Sequence, residues 1–450
     1  MLTLTKLKCD KDYAFRTRYV SKISKERITI FNHSIRETMM ALSIPFKNPN
    51  YRIASGYSAL FFICWSLWWS LYAIWLKQRI GLSGAELGML YALNQTMSIV
   101  FMLGYGVMQD KLGLQKTLMW VISTALMLTG PFMTFVYQPL LLNAFYVGAF
   151  IGAVFLGIGY LAGFGLVEAF SEKISRHFHF EYGTARSWGS LGYALGAFVA
   201  GVLFSIDPNL NFWLVSLIGV GFTYLNYRFT PPEQVVQQQK TITRQDFTAV
   251  LRDKHFWLFV IFVIGTWSFY NIFDQQLFPI FYTQLFSSEA LGAKIYSYLN
   301  ASQVILEALC MAIIPLLVNR IGAKNALLLG VMIMAVRIFS CAVSVNPYLI
   351  SAVKLLHALE VPLCVIAVFK YSTLYFDKRL SSTIFLIGFQ VASSIGVVLI
   401  SFPLGALHDY YGYQYLFWLI SAIVSMMLVF GAIFLGRRKL PPMIDKKVTL

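Results

Sequence analysis

The stretches GVMQDKLGLQK (106–116) and NRIGAK (319–324) decide the fold. Each follows an apolar run long enough to cross a bilayer, each turns on a glycine (Gly113, Gly322), and each carries a lysine just beyond it (Lys116, Lys324). The two glycines occupy matching points in the two halves of the chain, so the pattern reads as an internal repeat. Within the first copy, Gly106, Asp110, Lys111 and Gly113 form a spaced set. Gly113 makes the tight turn, Asp110 is suited to cap a neighbouring helix N-terminus, and Lys111 and Lys116 are held to one side of the membrane. A bare reverse turn accounts for one glycine but not for the repeat in register.

Working outward from these turns, apolar runs alternate with short polar breaks. Helices are expected at 53–76, 86–108, 117–137, 143–170, 184–205, 211–228, 255–285, 292–318, 324–343, 347–376, 381–403 and 413–436. Each exceeds or approaches the roughly 20 residues that about 30 Å of hydrocarbon demands. The longest break, 229–254, is rich in Pro, Gln and charge and divides the spans six and six. The expected fold is therefore an all-α membrane protein of twelve transmembrane helices in two pseudo-symmetric six-helix bundles, 40–228 and 255–436, with a central loop at 229–254 and a basic tail at 437–450.

Composition agrees. Of 450 residues, 58% are hydrophobic and 12% charged, where a soluble domain carries roughly 45–50% apolar and about 25% charged residues. An ordinary soluble enzyme is excluded. The formal charge of +16 would raise nucleic-acid binding in a soluble protein, but here it follows the loops. One set of breaks holds Lys47, Arg52, Lys111, Lys116, Lys173, Arg176, Arg320, Lys324, Lys378 and Arg379, whereas the other holds little beyond Lys77, Arg79 and Lys294. The positive-inside rule makes both termini and the central loop cytoplasmic, with no nucleic acid needed. Residues 1–39 carry nine basic and four acidic side chains and no apolar signal core. They read as an upstream stretch ahead of a start at Met39 or Met40, the alternative being a cytosolic arm.

The small counts exclude other chemistry. Cys9, Cys64, Cys310, Cys341 and Cys364 have neither disulfide nor zinc spacing. His177 and His179 read as a solvated loop. Gly157, Gly159 and Ala162 match a dinucleotide-binding spacing, but inside an apolar run they read as close helix packing. No metal and no cofactor is expected, and no nucleophile constellation suggests an enzyme.

The informative residues are charges inside spans, which cost roughly 2.5–3.5 kcal/mol each on insertion scales and are functional candidates by default. They are Glu168, Arg186, Asp274, Glu307, Arg337, Lys354, His357, Glu360 and Lys370, the last near a span end where it can snorkel. Lys354, His357 and Glu360 recur at steps of three and form one polar stripe on an otherwise apolar helix. A buried carboxyl of this kind can carry a proton, with a histidine to orient it and an arginine to expel it. The alternative is an ion network that only holds helices together. Glu168 and Arg186 flank a short loop, and a carboxylate with a planar guanidinium suits a sugar diol; a plain salt bridge is the alternative. Tyr193, seven residues beyond Arg186, could stack on a pyranose or simply be core.

The runs SLWWSLYAIWLK (66–77), HFHFEYGTAR (177–186), GTWSFYNIFDQQLFP (265–279), LLHALEVPLCVI (355–366) and FDKRLSSTIFLIGFQ (376–390) resemble the oligosaccharide:proton symporters of the major facilitator superfamily. The motif at 106–116 matches that superfamily's loop pattern. The resemblance covers roughly Met40 to Arg438 and supports Met40 as the start. It implies sugar recognition at Glu168, Arg186, Tyr193, Tyr270 and Glu307, proton coupling at Arg337, His357 and Glu360 with Tyr270 nearby, and a structural ion pair between Asp274 and Lys354. It also implies a monomer in the lipid bilayer of a bacterial inner membrane, driven by the proton gradient. The resemblance implies sucrose as the sugar, and the departures from the lactose-carrying members point away from galactosides: Val304 stands at the position of an essential acid with Glu307 one turn on, Asn271 and Ser393 replace a buried Asp and Lys pair, Tyr193 replaces a tryptophan, and Ser190 replaces a cysteine. Removing both members of a buried pair avoids stranding one charge. The rival readings are a carrier of raffinose, lactose or another oligosaccharide, and a membrane sugar sensor that does not transport.

Overall fold

The computed structural model describes residues 48–231, 251–375 and 385–436, and among them there is no β-strand. The helices are α1 Pro49–Ile80, α2 Gly84–Leu112, α3 Thr117–Asn143, α4 Phe145–His177, α5 Tyr182–Phe204, α6 Asn209–Arg228, α7 Lys254–Thr283, α8 Glu289–Ile321, α9 Ala323–Val343 and α10 Pro347–Tyr375. A last helical stretch, Ile387–Phe434, is 48 residues long, and Gly412 inside it has φ 78° and ψ 179°. We number the stretch before that break (387–411) α11 and the stretch after it (413–434) α12.

Nine stretches among the described residues are long and apolar enough to cross a membrane, or ten if the bent α8 counts as one span. Twelve helices are reached only by also splitting the last stretch at Gly412 and including the 20-residue α6. The bend in α8, 55° between Met311 and Ile313, lies one turn before Pro315, where proline removes a helical hydrogen bond and crowds the preceding turn. The expected extension at 1–39 and tail at 437–450, with most of the central loop, lie outside the described residues.

Helix starts follow local sequence. Asn48 and Asn346 cap α1 and α10, each followed by proline at the first helical position. Ser83 and Glu86 form a reciprocal capping box on α2. Two expectations need correction. Gly106, Asp110 and Lys111 belong to the last turns of α2, not to a loop, because the helix runs to Leu112 and only Gly113, at φ +60°, leaves it; the Asp110 and Lys111 side chains lie outside the described set. Likewise α4 continues to His177, its polar last turns carrying a Glu172–Arg176 pair at 2.7 Å.

The internal repeat has a structural counterpart. Gly322, at φ +86°, ends α8 as Gly113 ends α2. The lysine beyond each turn then reaches the end of the last helix of its own set. Lys116 Nζ donates to the carbonyls of Asn226 (3.1 Å), Tyr227 (3.3 Å) and Phe229 (2.8 Å) at the end of α6. Lys324 Nζ donates to Ala432 (2.7 Å) and Leu435 (2.5 Å) at the end of α12. Both place a cation where helix carbonyls lack partners.

Large apolar side chains such as Phe135, Leu217, Leu309, Leu399 and Ile433 are exposed around the outside, an arrangement suited to lipid rather than water. Inside, buried polar groups find one another: Tyr72 and Tyr137 share a hydrogen bond at 2.6 Å, and Tyr57 donates to Asn226 at 2.9 Å. Small residues bring helices close. A Cβ on Gly159 would lie 2.7 Å from Ala125 Cβ, in line with the reading of that motif as packing.

Candidate functional site

The site's first part is built where α5 meets α1. Gly189, Gly192 and Gly196 form a stripe on α5, and a Cβ on Gly192 would come within 2.6 Å of the Ala59 carbonyl. Without side chains in the way, α1 packs close and its Phe62 ring lies 4.2 Å from the Arg186 guanidinium. Arg186 Nε donates to Glu168 Oε1, and Arg186 Nη1 lies 3.5 Å from Ser190 Oγ. The two charged side chains are 28% and 29% exposed, so the pair is not sealed within the protein. Tyr193 is half-buried on the same helix.

Glu307 is half-buried on α8 and accepts from Gln303 Nε2 at 2.7 Å, one turn earlier. No ion pair to Glu307 is found among the described residues.

The second part joins α7, α9 and α10. Asp274 sits in a π-helical turn, Phe273–Leu277, a widened geometry common at functional positions. Its carboxylate accepts from Lys354 Nζ at 2.9 and 3.1 Å and from Arg337 Nη2 at 2.9 Å. Arg337 uses its other terminal nitrogen on Glu360, Nη1 to Oε2 at 2.6 Å. His357 Nδ1 lies 3.5 Å from Asp274 Oδ1 and 2.6 Å from the Tyr270 hydroxyl. Arg337, Lys354 and Glu360 are essentially withdrawn from solvent. Two acids and two bases therefore form one charge-balanced network, with Glu360 Oε1 left without a hydrogen-bond partner among the described residues.

The expected stripe of Lys354, His357 and Glu360 does converge on one cluster, although the helix turns irregularly at Leu356 between the first two. Arg337 and the Asp274–Lys354 pair, expected as separate devices, share one carboxylate. Tyr270, expected among the sugar-binding residues, is hydrogen-bonded to His357. Asn271 Nδ2 donates to Ser393 Oγ at 3.1 Å, so these two neutral residues meet as partners. Phe62 and Gln303 had no distinguishing sequence signal beyond an aromatic run and a polar residue at helical spacing from Glu307.

The sequence profile of the LacY proton/sugar symporters matches residues 43–447. The chain is 63% identical over 402 residues to a sucrose permease of Escherichia coli, covering 89% of this chain and 97% of that protein. It is 36% identical over 400 residues to a melibiose permease of Enterobacter cloacae, covering 87% and 94%. A solved nucleoside transporter shares the fold at a TM-score of 0.72, with 15% identity over 87% of this chain and all of that one. With nearly its full length matched by the profile and by these relatives, the chain belongs to the LacY proton/sugar symporter family.

Proposed function

We propose that this chain carries sucrose inward together with a proton across the bacterial cytoplasmic membrane, by alternating access between bundles at 40–228 and 255–436. The observation that carries the sucrose assignment is the 63% identity to a sucrose permease over almost all of both chains, far above the 36% shared with a raffinose permease of Escherichia coli. In this reading, both termini, the 229–254 loop and the 437–450 tail are cytoplasmic, the protein works as a monomer, and no cofactor takes part.

Sugar hydroxyls are held by Glu168, Arg186 and Glu307, with Tyr193 presenting a ring to one sugar face. Carboxylates accept from hydroxyls and the guanidinium donates in a plane, so the three together can order several hydroxyls at once. The half-exposed Glu168–Arg186 pair supports this, because a purely structural pair gains little from remaining open to solvent. Glu360 carries the proton on the oxygen that lacks a donor, Arg337 holds the other oxygen, and His357 with Tyr270 orients the cluster. A charged carboxylate with an unpaired buried oxygen is costly. The loaded carrier therefore closes readily only with Glu360 protonated, which ties sugar movement to proton movement.

Cells expressing the protein and a vector control are de-energised in weak buffer and given sucrose, with uptake of labelled sucrose followed in parallel. Sucrose-dependent alkalinisation supports the proposal. Labelled uptake no better than that of raffinose or lactose contradicts the substrate, and sucrose binding without alkalinisation contradicts symport in favour of a sensor.

A further inference from the structure

A polar stripe on α8 leads to Glu307. Ser297, Asn300, Gln303 and Glu307 recur at steps of three, three and four, so they share one side of the helix. Ile305, Leu306 and Leu309 beside them are exposed apolar side chains. Ser297 Oγ donates to the Ala197 carbonyl of α5, and the Tyr298 ring stacks on Phe198 at 4.8 Å between centroids. A Cβ on Gly201 would lie 3.3 Å from the Lys294 carbonyl oxygen, so α8 advances as α5 recedes and the two run antiparallel. Ten residues beyond Ser297 stands Glu307, and eleven before Ala197 stands Arg186. Both lie about 15–16 Å along their helices from the shared contact, which sets Glu307 level with Arg186.

We propose that Gln303 is a positioning residue of the sugar site, aiming the Glu307 carboxylate so that it accepts from sugar hydroxyls. The inference rests on the reading of Glu307 as a hydroxyl acceptor and adds what orients it. Gln303 Nε2 donates to Glu307 Oε2 at 2.7 Å. A carboxylate only accepts, so this bond also fixes which way round the amide lies. Burial loosens along the stripe: Ser297, Asn300 and Gln303 are buried, Gln303 at 2%, whereas Glu307 is half-buried. The packed amide therefore sets the rotamer of the more open carboxylate.

The donor is also neutral. Glu168 is held by Arg186 and Glu360 by Arg337, each a full opposite charge. Among the described residues Glu307 has this amide alone. A carboxylate offers about four acceptor positions, and an amide occupies one of them without cancelling the charge. The remaining positions keep their strength for hydroxyl groups, at the level where Arg186 supplies donors.

The test uses the full chain purified in detergent, with sucrose affinity read by isothermal titration from mildly acidic to mildly alkaline pH. Gln303→Met keeps the length and loses the donor. It is expected to weaken sucrose binding about tenfold, while the exchange rate at saturating sucrose in proteoliposomes stays near the parent value. Gln303→Glu sets two carboxyl groups one turn apart. At low pH they share a proton and the protonated acid donates as the amide did; at high pH both are charged and repel. Its affinity is expected to match the parent at acid pH and to fall away from it as pH rises. This variant carries the test if the methionine variant does not fold. Cys310 on α8 and the groups on the helices packed against it, Tyr193 and Arg186 on α5, Tyr270 and Asp274 on α7, Arg337 on α9, and Lys354, His357 and Glu360 on α10, are common to parent and variant, so the ratio of the two affinities isolates the new pair. Unchanged affinity in Glu307→Gln overturns the role of Glu307 and the inference with it. Weakened binding in Glu307→Gln, with parent affinity in Gln303→Met and the parent pH profile in Gln303→Glu, overturns the positioning role alone.

Discussion

Arg337 and Glu360 form an ion pair 2.6 Å long in which the side chains are 1% and 0% exposed, while the same guanidinium donates to Asp274 at 2.9 Å. One arginine therefore bridges two carboxylates inside the bundle, one of which, Asp274, it shares with Lys354. A buried pair is weak evidence for stability, but removing one partner strands a charge.

Arg337→Gln leaves Glu360 with neither oxygen bonded to a cation and Asp274 with Lys354 alone. The expected loss is about 3–5 kcal/mol of stability, seen as a lower unfolding temperature in detergent, with no sucrose accumulation. Arg337→Lys keeps the charge but cannot donate in a fork to two acids. It should recover folding more than transport, which comparison of the two variants in both assays checks.

Arg186→Ala should weaken sucrose binding by roughly 10- to 100-fold, the scale of losing about 1.5–3 kcal/mol in a hydrogen bond to a charged group. The pair is partly exposed, so the unfolding temperature should move little. A large stability loss with unchanged sucrose affinity, read by isothermal titration on the purified protein, marks Glu168–Arg186 as a structural pair instead.

Tyr270→Phe removes the hydroxyl bonded to His357 but keeps the ring, which stacks at 5.6 Å between centroids. The expected cost is about 0.5–1.5 kcal/mol in stability, with uptake slowed while sucrose affinity stays near the parent value. A selective loss of affinity would move Tyr270 into the sugar site.

Lys116→Met and Lys324→Met each leave carbonyls at a helix end without their cation, at a cost of about 1 kcal/mol. The lysines serve different helix ends, so the double variant should show nearly the sum. Thermal unfolding of the two single variants and the double variant measures this, and strong non-additivity contradicts two independent caps.

The helices and the polar stripe of α10 were legible because both follow from periodicity: apolar runs of bilayer length, and charges at steps of three. Charges inside spans were conspicuous for the same reason. The sharing of Asp274 by Lys354 and Arg337 was not legible, since it depends on how α7, α9 and α10 converge, and a pairwise reading assigns each carboxylate one partner. Nor was the helical nature of Gly106 to Leu112, because a motif full of turn formers looks like a loop when only Gly113 takes a left-handed φ.

The central claim, that Glu360 couples the sugar to the proton, is tested most directly by Glu360→Gln in proteoliposomes, comparing uphill sucrose uptake under a proton gradient with exchange of labelled for unlabelled sucrose at equilibrium. Glutamine is neutral like the protonated acid, so the account predicts that exchange persists while gradient-driven accumulation and sucrose-linked proton entry are lost. Accumulation at the parent level in the variant would contradict it.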